Sequence, residues 1–187
     1  EGISFNAGSP SYGMNGPLWA FLIAGGVKLN LDPYVVAKTL DIVFASLALM
    51  AVLAFAFIVT RDRLYALIAA LIFSFDAWFL RWAGSGTETS LAVLLAMLSL
   101  WYAFKKEYIT SSLVAGLLTL VRPEGVFLFL AAEVDAVLNS RDRMSAIRTV
   151  VGSSLLYGMI VGTWLGFSYV YFGTILPNQL LSALFRG

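Results

Sequence analysis

The chain has 187 residues, of which 60% are hydrophobic and only 12% charged, with a formal net charge of +1 and neither cysteine nor histidine. That balance lies far outside an ordinary soluble domain. It offers no lysine or arginine cluster that would track a nucleic-acid backbone, and it excludes disulfides, thiolate nucleophiles and the usual zinc sites within the chain.

The class that remains is an all-α, polytopic transmembrane helical bundle. Backbone groups in lipid must be bonded within their own segment, which helices achieve. A transmembrane barrel needs alternation of period two, and the Leu/Ala-rich runs show none.

In chain order, residues 1–16 are rich in Gly, Pro, Ser and Asn and read as the end of an outer-face loop. They have neither the basic flank nor the apolar core of a signal peptide. The chain opens on Glu1 and closes on Arg186 and Gly187 just after a polar break, so an internal piece of a larger protein is expected. Pro17 suits a first helical turn. The helix it starts, residues 17–30, rises only about 20 Å and reads as interfacial or re-entrant.

Asp32 is a natural N-cap and Pro33 a natural first residue for a helix over 33–60. Its residues 42–60 form an uncharged run of 19, enough to cross most of a hydrocarbon core. Further helices are expected over 64–82, 89–104, 110–121, 125–138 and 149–172, with 173–187 as an outer-face loop broken by "GTILPNQ". Residues 111–138 allow two readings. One kinked helix would overshoot the bilayer at roughly 42 Å and would strand a basic cluster outside. Two short helices meeting at Pro123 avoid both problems and are favoured.

Charge then sets the orientation. Arg61/Arg63, Lys105/Lys106 and Arg141/Arg143/Arg148 form three basic clusters separated by pairs of apolar segments. All three therefore fit the cytoplasmic side of a cell membrane. Residues 1–16, 81–88, 122–124 and 173–178 then share the extracytoplasmic face. Lys28 and Lys38 sit at that outer edge, against the rule.

Charged residues at membrane depth cost roughly 2.5–3.5 kcal/mol each on insertion scales. In "LVRPEG", Arg122 and Glu124 either pair with each other and snorkel to the interface or line a cavity. In the second case Arg122 grips an anion and Glu124 orients the arginine or a hydroxyl, while Pro123 restricts the preceding backbone. In "RWAGSGTETS", Ser85 or Thr87 can cap a helix, and Glu88 suits its N-terminus as a cap or as a ligand contact. Arg81 is an anion contact or an interfacial anchor. Asp76 is a candidate partner for Arg81, and Asp41 either faces the bundle interior or edges the membrane. Most tryptophans fall near helix ends, as an interfacial belt expects. Gly158, Gly162 and Gly166 form a four-residue rhythm that close helix packing would explain.

Four patches taken together resemble the GT-C class of multi-span glycosyltransferases. They are most similar to members related to the protein mannosyltransferases and to the mycobacterial terminal arabinofuranosyltransferase. The patches are "EGISFNAGSPSYGMNGPLW" (Gly2, Phe5, Asn6, Pro17, Leu18, Trp19), "RWAGSGTETSL" (Arg81, Ser85, Gly86, Glu88, Leu91), "GLLTLVRPEG" (Arg122, Pro123, Glu124) and "YFGTILPNQ" (Tyr171, Gly173, Pro177, Asn178). Gln179 and Ala183 stand where that subgroup often has threonine and lysine.

The resemblance implies a polyprenyl-phosphate sugar as donor and a glycan, lipid or protein hydroxyl as acceptor. It implies an inverting displacement on the outer face, within the membrane lipids and without nucleic acid. Arg122 and Arg81 are implied as donor-phosphate contacts. Glu88, Glu124, Asn6 and Asn178 are implied to position sugar or acceptor. The resemblance implies that the acidic residue acting as base lies upstream of Glu1, so no catalytic residue is assigned within the chain. No cofactor is assigned either: some members of the wider class use a divalent ion, but the residues here make no evident metal cage. A secondary transporter or lipid flippase would also combine broken helices with buried charge, and a non-catalytic membrane scaffold is the third class.

Overall fold

The computed structural model describes residues 16–140 and 142–175, and every described element is helical. The order is α1 (Pro17–Lys28), α2 (Pro33–Thr60), α3 (Arg63–Ser74), α4 (Ala77–Trp82), α5 (Thr89–Phe104), α6 (Tyr108–Thr119), α7 (Gly125–Leu138) and α8 (Arg143–Phe172). Asn6 and Asn178 lie outside the described residues.

Local chemistry sets most of the boundaries. Asp32 accepts the backbone N–H groups of Tyr34 and Val35 at the start of α2, and Asp62 does the same for Leu64 and Tyr65 in α3. These carboxylates satisfy donors that a helix cannot pair internally.

Two expected helices differ. The helix over 64–82 is broken, because the chain leaves helical geometry at Asp76, whose carboxylate caps α4 through Phe79 N–H at 2.7 Å. Asp76 is thus a cap, and it forms no ion pair with Arg81. The last helix starts at Arg143 rather than at residue 149, because Asp142 caps it through Ser145. Apolar runs mark where lipid-length segments lie, whereas capping carboxylates mark where helices begin.

Short connections make α2/α3, α5/α6 and α6/α7 antiparallel neighbours. α5 runs alongside α2 in the same direction: Gly86, before α5, bonds Asp41 early in α2, and Phe104 meets Phe55 near their far ends at 6.0 Å. α8 lies parallel to α6, with Gly152 beside Ile109 and Gly116 beside Ile160.

Residues 111–138 form two helices folded back on each other, not one kinked helix. Lys106 and Tyr108, at the start of the hairpin, both donate to the Asp135 carboxylate near its end, at 2.9 and 2.8 Å. A serine seam joins α5 and α6 through Ser99 and Ser111, and Thr119 pairs with Tyr157 between α6 and α8. Short polar side chains of this kind let helices approach closely.

This winding gathers Arg61, Arg63, Lys105, Lys106, Arg143 and Arg148 at one end of the bundle. The connections before α2, before α5 and before α7 gather at the other. α1 runs back along the start of α2, with Gly26 on Val36 and the Trp19 ring 6.3 Å from that of Phe44. Its first turn docks on the end of α6, where Leu18 N–H donates to the Leu120 carbonyl at 3.1 Å. Trp19, Leu91, Leu95, Val114, Leu118 and Val121 form the core beneath that end.

Trp19 and Trp164 are therefore packing residues, both buried, and only part of the expected aromatic belt is at helix ends on the surface. The glycine rhythm of α8 packs against no other helix among the described residues. A Cβ at Gly158, Gly162 or Gly166 would meet no described atom within 4 Å.

Candidate functional site

At the end opposite the basic clusters, three connections meet. α6 ends on Leu120 and Val121, whose backbone receives α1. Arg122 then leads into a turn in which Gly125 N–H donates to the Arg122 carbonyl at 3.0 Å. The turn is tight because α7 starts directly against the last turn of α6: a Cβ on Gly125 would lie 2.7 Å from Thr119 N. Only glycine fits that approach.

The turn directs the Arg122 and Glu124 side chains apart. Arg122 Nη2 reaches α5, where it donates to Thr89 Oγ1 at 3.1 Å and lies 3.5 Å from Glu88 Oε1. Of the two readings the sequence allowed, the Arg122–Glu124 pair does not form. Glu124 opens α7 as an exposed residue without a side-chain cap bond. Glu88, at the N-terminus of α5, likewise makes no cap bond, since its carboxylate faces Arg122.

Thr89 extends the cluster. Thr87 donates to Thr89 at 3.3 Å, and the Ser85 and Thr87 hydroxyls lie 2.9 Å apart. Neither Ser85 nor Thr87 caps α5 in the simple way the sequence suggests: Ser85 donates back to the Trp82 carbonyl. The result is a row of three hydroxyls ending on a guanidinium. Arg122 is an exposed side chain (44%), and only Nη2 is engaged among the described residues. Its other N–H groups have no partner among the described residues and suit a planar or tetrahedral anion.

The row is anchored from below by Asp41. That residue is fully buried at 0% exposure on α2, and its Oδ2 accepts the Gly86 N–H at 2.8 Å across 45 positions. Gly86 has φ +83°, a left-handed conformation that strains any side chain. Asp41 thus faces the bundle interior, resolving the choice left open by sequence.

Arg81 stands apart from this row. Its guanidinium lies over the rings of Trp78 and Trp82, 5.7 and 5.8 Å from their centroids. Among the described residues it makes no ion pair and no contact with Arg122. A guanidinium over an indole ring is a cation–π contact, and it uses Arg81 locally.

The structure therefore joins Arg122 with Glu88 and leaves Glu124 and Arg81 outside the contact network. It adds Thr89, Gly86 and Asp41. Of these, Asp41 had a sequence signal, an acid within a long apolar helix. Thr89 had none, because a threonine at a first helical position is ordinary. Among the described residues no group of three acidic side chains is close enough to hold a metal ion.

Comparison of the chain with protein-family models, with curated proteins and with solved structures finds no match.

Proposed function

We propose that the chain is the substrate-gripping part of a multi-pass membrane glycosyltransferase. In this reading it moves a sugar from a polyprenyl-phosphate donor to an acceptor hydroxyl on the extracytoplasmic face. The observation that carries the reading is the contact of Arg122 with Glu88 and Thr89. It joins two of the four patches in which the sequence resembles GT-C glycosyltransferases, and Leu18 on Leu120 brings a third beside them.

Membrane insertion has independent support. α2 and α8 are long and apolar enough to cross a bilayer, and only 11% of the most apolar stretch of either is buried by protein. Large apolar side chains such as Met50, Ile72, Phe75, Phe127 and Val170 face outward. Soluble proteins rarely expose such a surface. The basic residues at the opposite end then face the cytoplasm, which turns Arg122 outward.

The chemistry asked of Arg122 is electrostatic. The acceptor oxygen attacks the anomeric carbon, the bond from that carbon to the phosphate oxygen breaks, and the electron pair leaves on the lipid phosphate. The guanidinium stabilises that returning charge, while Glu88 holds it in place. The acceptor proton passes to a carboxylate that is not assigned to any residue of this chain.

The test is transfer from radiolabelled polyprenyl-phosphate sugars by the full-length protein in lipid, with Arg122→Ala beside wild type. Loss of about 100-fold or more in turnover is expected, the size seen when one oxyanion donor is removed. Equal turnover removes Arg122 from this role, and no transfer with any such donor removes the reaction.

A further inference from the structure

We propose that Asp41 is a positioning residue: from inside the bundle it sets the loop between α4 and α5, and through that loop the geometry of the Arg122 anion site. The ligand named in the test rests on the glycosyltransferase reading, whereas the tie itself does not.

A carboxylate with no exposure is expensive to keep in a helix that also faces lipid. Among the described residues Asp41 is held by one partner, the Gly86 N–H, and its other oxygen, Oδ1, is buried without one. Nothing about α2 requires an acid there. Ala45, Ala48 and Ala51, further along the same helix, are buried apolar residues that pack without polar groups. A side chain so costly and so specifically bonded acts on what it bonds.

What it bonds is the middle of the loop. Gly86 sits between Ser85 and Thr87, which begin the hydroxyl row, and two residues before Glu88. A Cβ on Gly86 would lie 3.5 Å from Ala37 Cβ and 3.6 Å from Lys38 Cγ, so the loop rests on the second turn of α2. Asp41 fixes its height there. Without that bond, the left-handed turn at Gly86 loses the one hydrogen bond that, among the described residues, anchors it to α2. Ser85, Thr87 and the Glu88 carboxylate then move together relative to Arg122, which is held on another connection.

A packing role alone predicts something different from a positioning role. Asparagine keeps an acceptor oxygen and the volume of aspartate, leucine keeps only comparable bulk. The experiment uses the full-length protein in nanodiscs, wild type beside Asp41→Asn and Asp41→Leu. It reads amide hydrogen exchange at Gly86 and the affinity for polyprenyl monophosphate.

Asparagine is expected to keep both close to wild type. Leucine is expected to release the Gly86 amide and weaken lipid-phosphate binding about tenfold, as loss of one bond to a charged group would. Gly86→Ala, which strains the same turn while leaving Asp41 in place, is expected to weaken binding likewise, and it serves if the leucine variant does not fold. Unchanged Gly86 protection in Asp41→Leu overturns the tie. Lost protection with unchanged affinity overturns its link to the anion site. Wild type that binds no polyprenyl monophosphate, with protection still lost in Asp41→Leu, supports the tie and overturns the glycosyltransferase reading instead.

Discussion

Arg122 reaches back to Glu88 just before α5, 3.5 Å away, and not to Glu124 two positions further along its own turn. The choice of partner matters because it crosses between helices. A local Arg122–Glu124 pair would have been a neutralised interfacial feature of one hairpin. The pair that forms ties the α6–α7 turn to the start of α5 and, among the described residues, engages only Nη2 of the guanidinium. Both side chains are partly exposed, at 44% and 30%, so the pair contributes at most about 1 kcal/mol to stability.

Glu88→Gln is therefore expected to leave thermal stability within about 1 kcal/mol of wild type. Its effect should appear in function: transfer should fall while the protein stays folded. Glutamine keeps an acceptor for Arg122 but not the charge that orients it. Melting curves together with transfer rates check this, and a large drop in stability would show the pair to be structural.

Gly125 is predicted to resist any side chain. The atom nearest to an added Cβ is backbone, Thr119 N at 2.7 Å, with Leu118 Cγ and Thr119 Oγ1 at 2.9 Å. Backbone cannot swing aside as a long side chain can. Gly125→Ala should destabilise by about 1–3 kcal/mol, the usual range for overpacking. Gly84→Ala is the control, since a Cβ there meets no described atom within 4 Å. It should melt within about 0.5 kcal/mol of wild type.

The sequence was most legible where one residue decides the local geometry. Pro17 and Pro33 each begin a helix, and Asp32 caps the second. The fold-back at Pro123 was legible because a single long helix would have split the basic clusters. Other features depend on contacts between distant segments, which periodicity does not report. The break at Asp76 looks like any acid in an apolar run until its carboxylate is seen on Phe79 N–H. The sequence left Arg122 between a local pair with Glu124 and a cavity role, and gave no sign of Glu88, which only the packing of the α6–α7 turn beside α5 brings within reach. Trp164 looked like a belt residue, yet it stacks edge-on against Phe21 at 5.8 Å. Only the docking of α1 produces that contact.

The basic end supplies a pH prediction. Lys106 has its pKa raised, chiefly by the hydrogen bond to Asp135 and against a smaller opposing effect of burial. A lysine favoured in its charged form when folded stabilises the fold fully below its ordinary value of about 10.4. That contribution is lost as pH rises through the raised native value. Lys106→Met should thus melt lower than wild type at pH 7, by no more than about 1 kcal/mol for so exposed a pair. The two curves should converge in strong alkali. The left-handed backbone at Lys106, φ 64°, is unchanged by that substitution, so the comparison isolates the charge. A difference that persists undiminished above the native value would assign the effect to packing.

Sidedness is the prediction on which the outward direction of Arg122 depends. These 187 residues contain no cysteine, so a single thiol introduced here, in full-length protein with any cysteine outside them replaced, reports its own location. Gly84→Cys lies in the loop before α5, with room for a side chain. Glu107→Cys lies in the exposed connection before α6, beside the Lys106–Asp135 pair. One traverse of α5 separates them. With the basic end in the cytoplasm, a membrane-impermeant maleimide added to intact cells should label the thiol at 84. The thiol at 107 should react only after the membrane is opened. The reverse pattern would turn Arg122 toward the cytoplasm, where the proposed donor does not present its sugar. Labelling of both from outside would mean that α5, 16 residues long, does not carry the chain across at all.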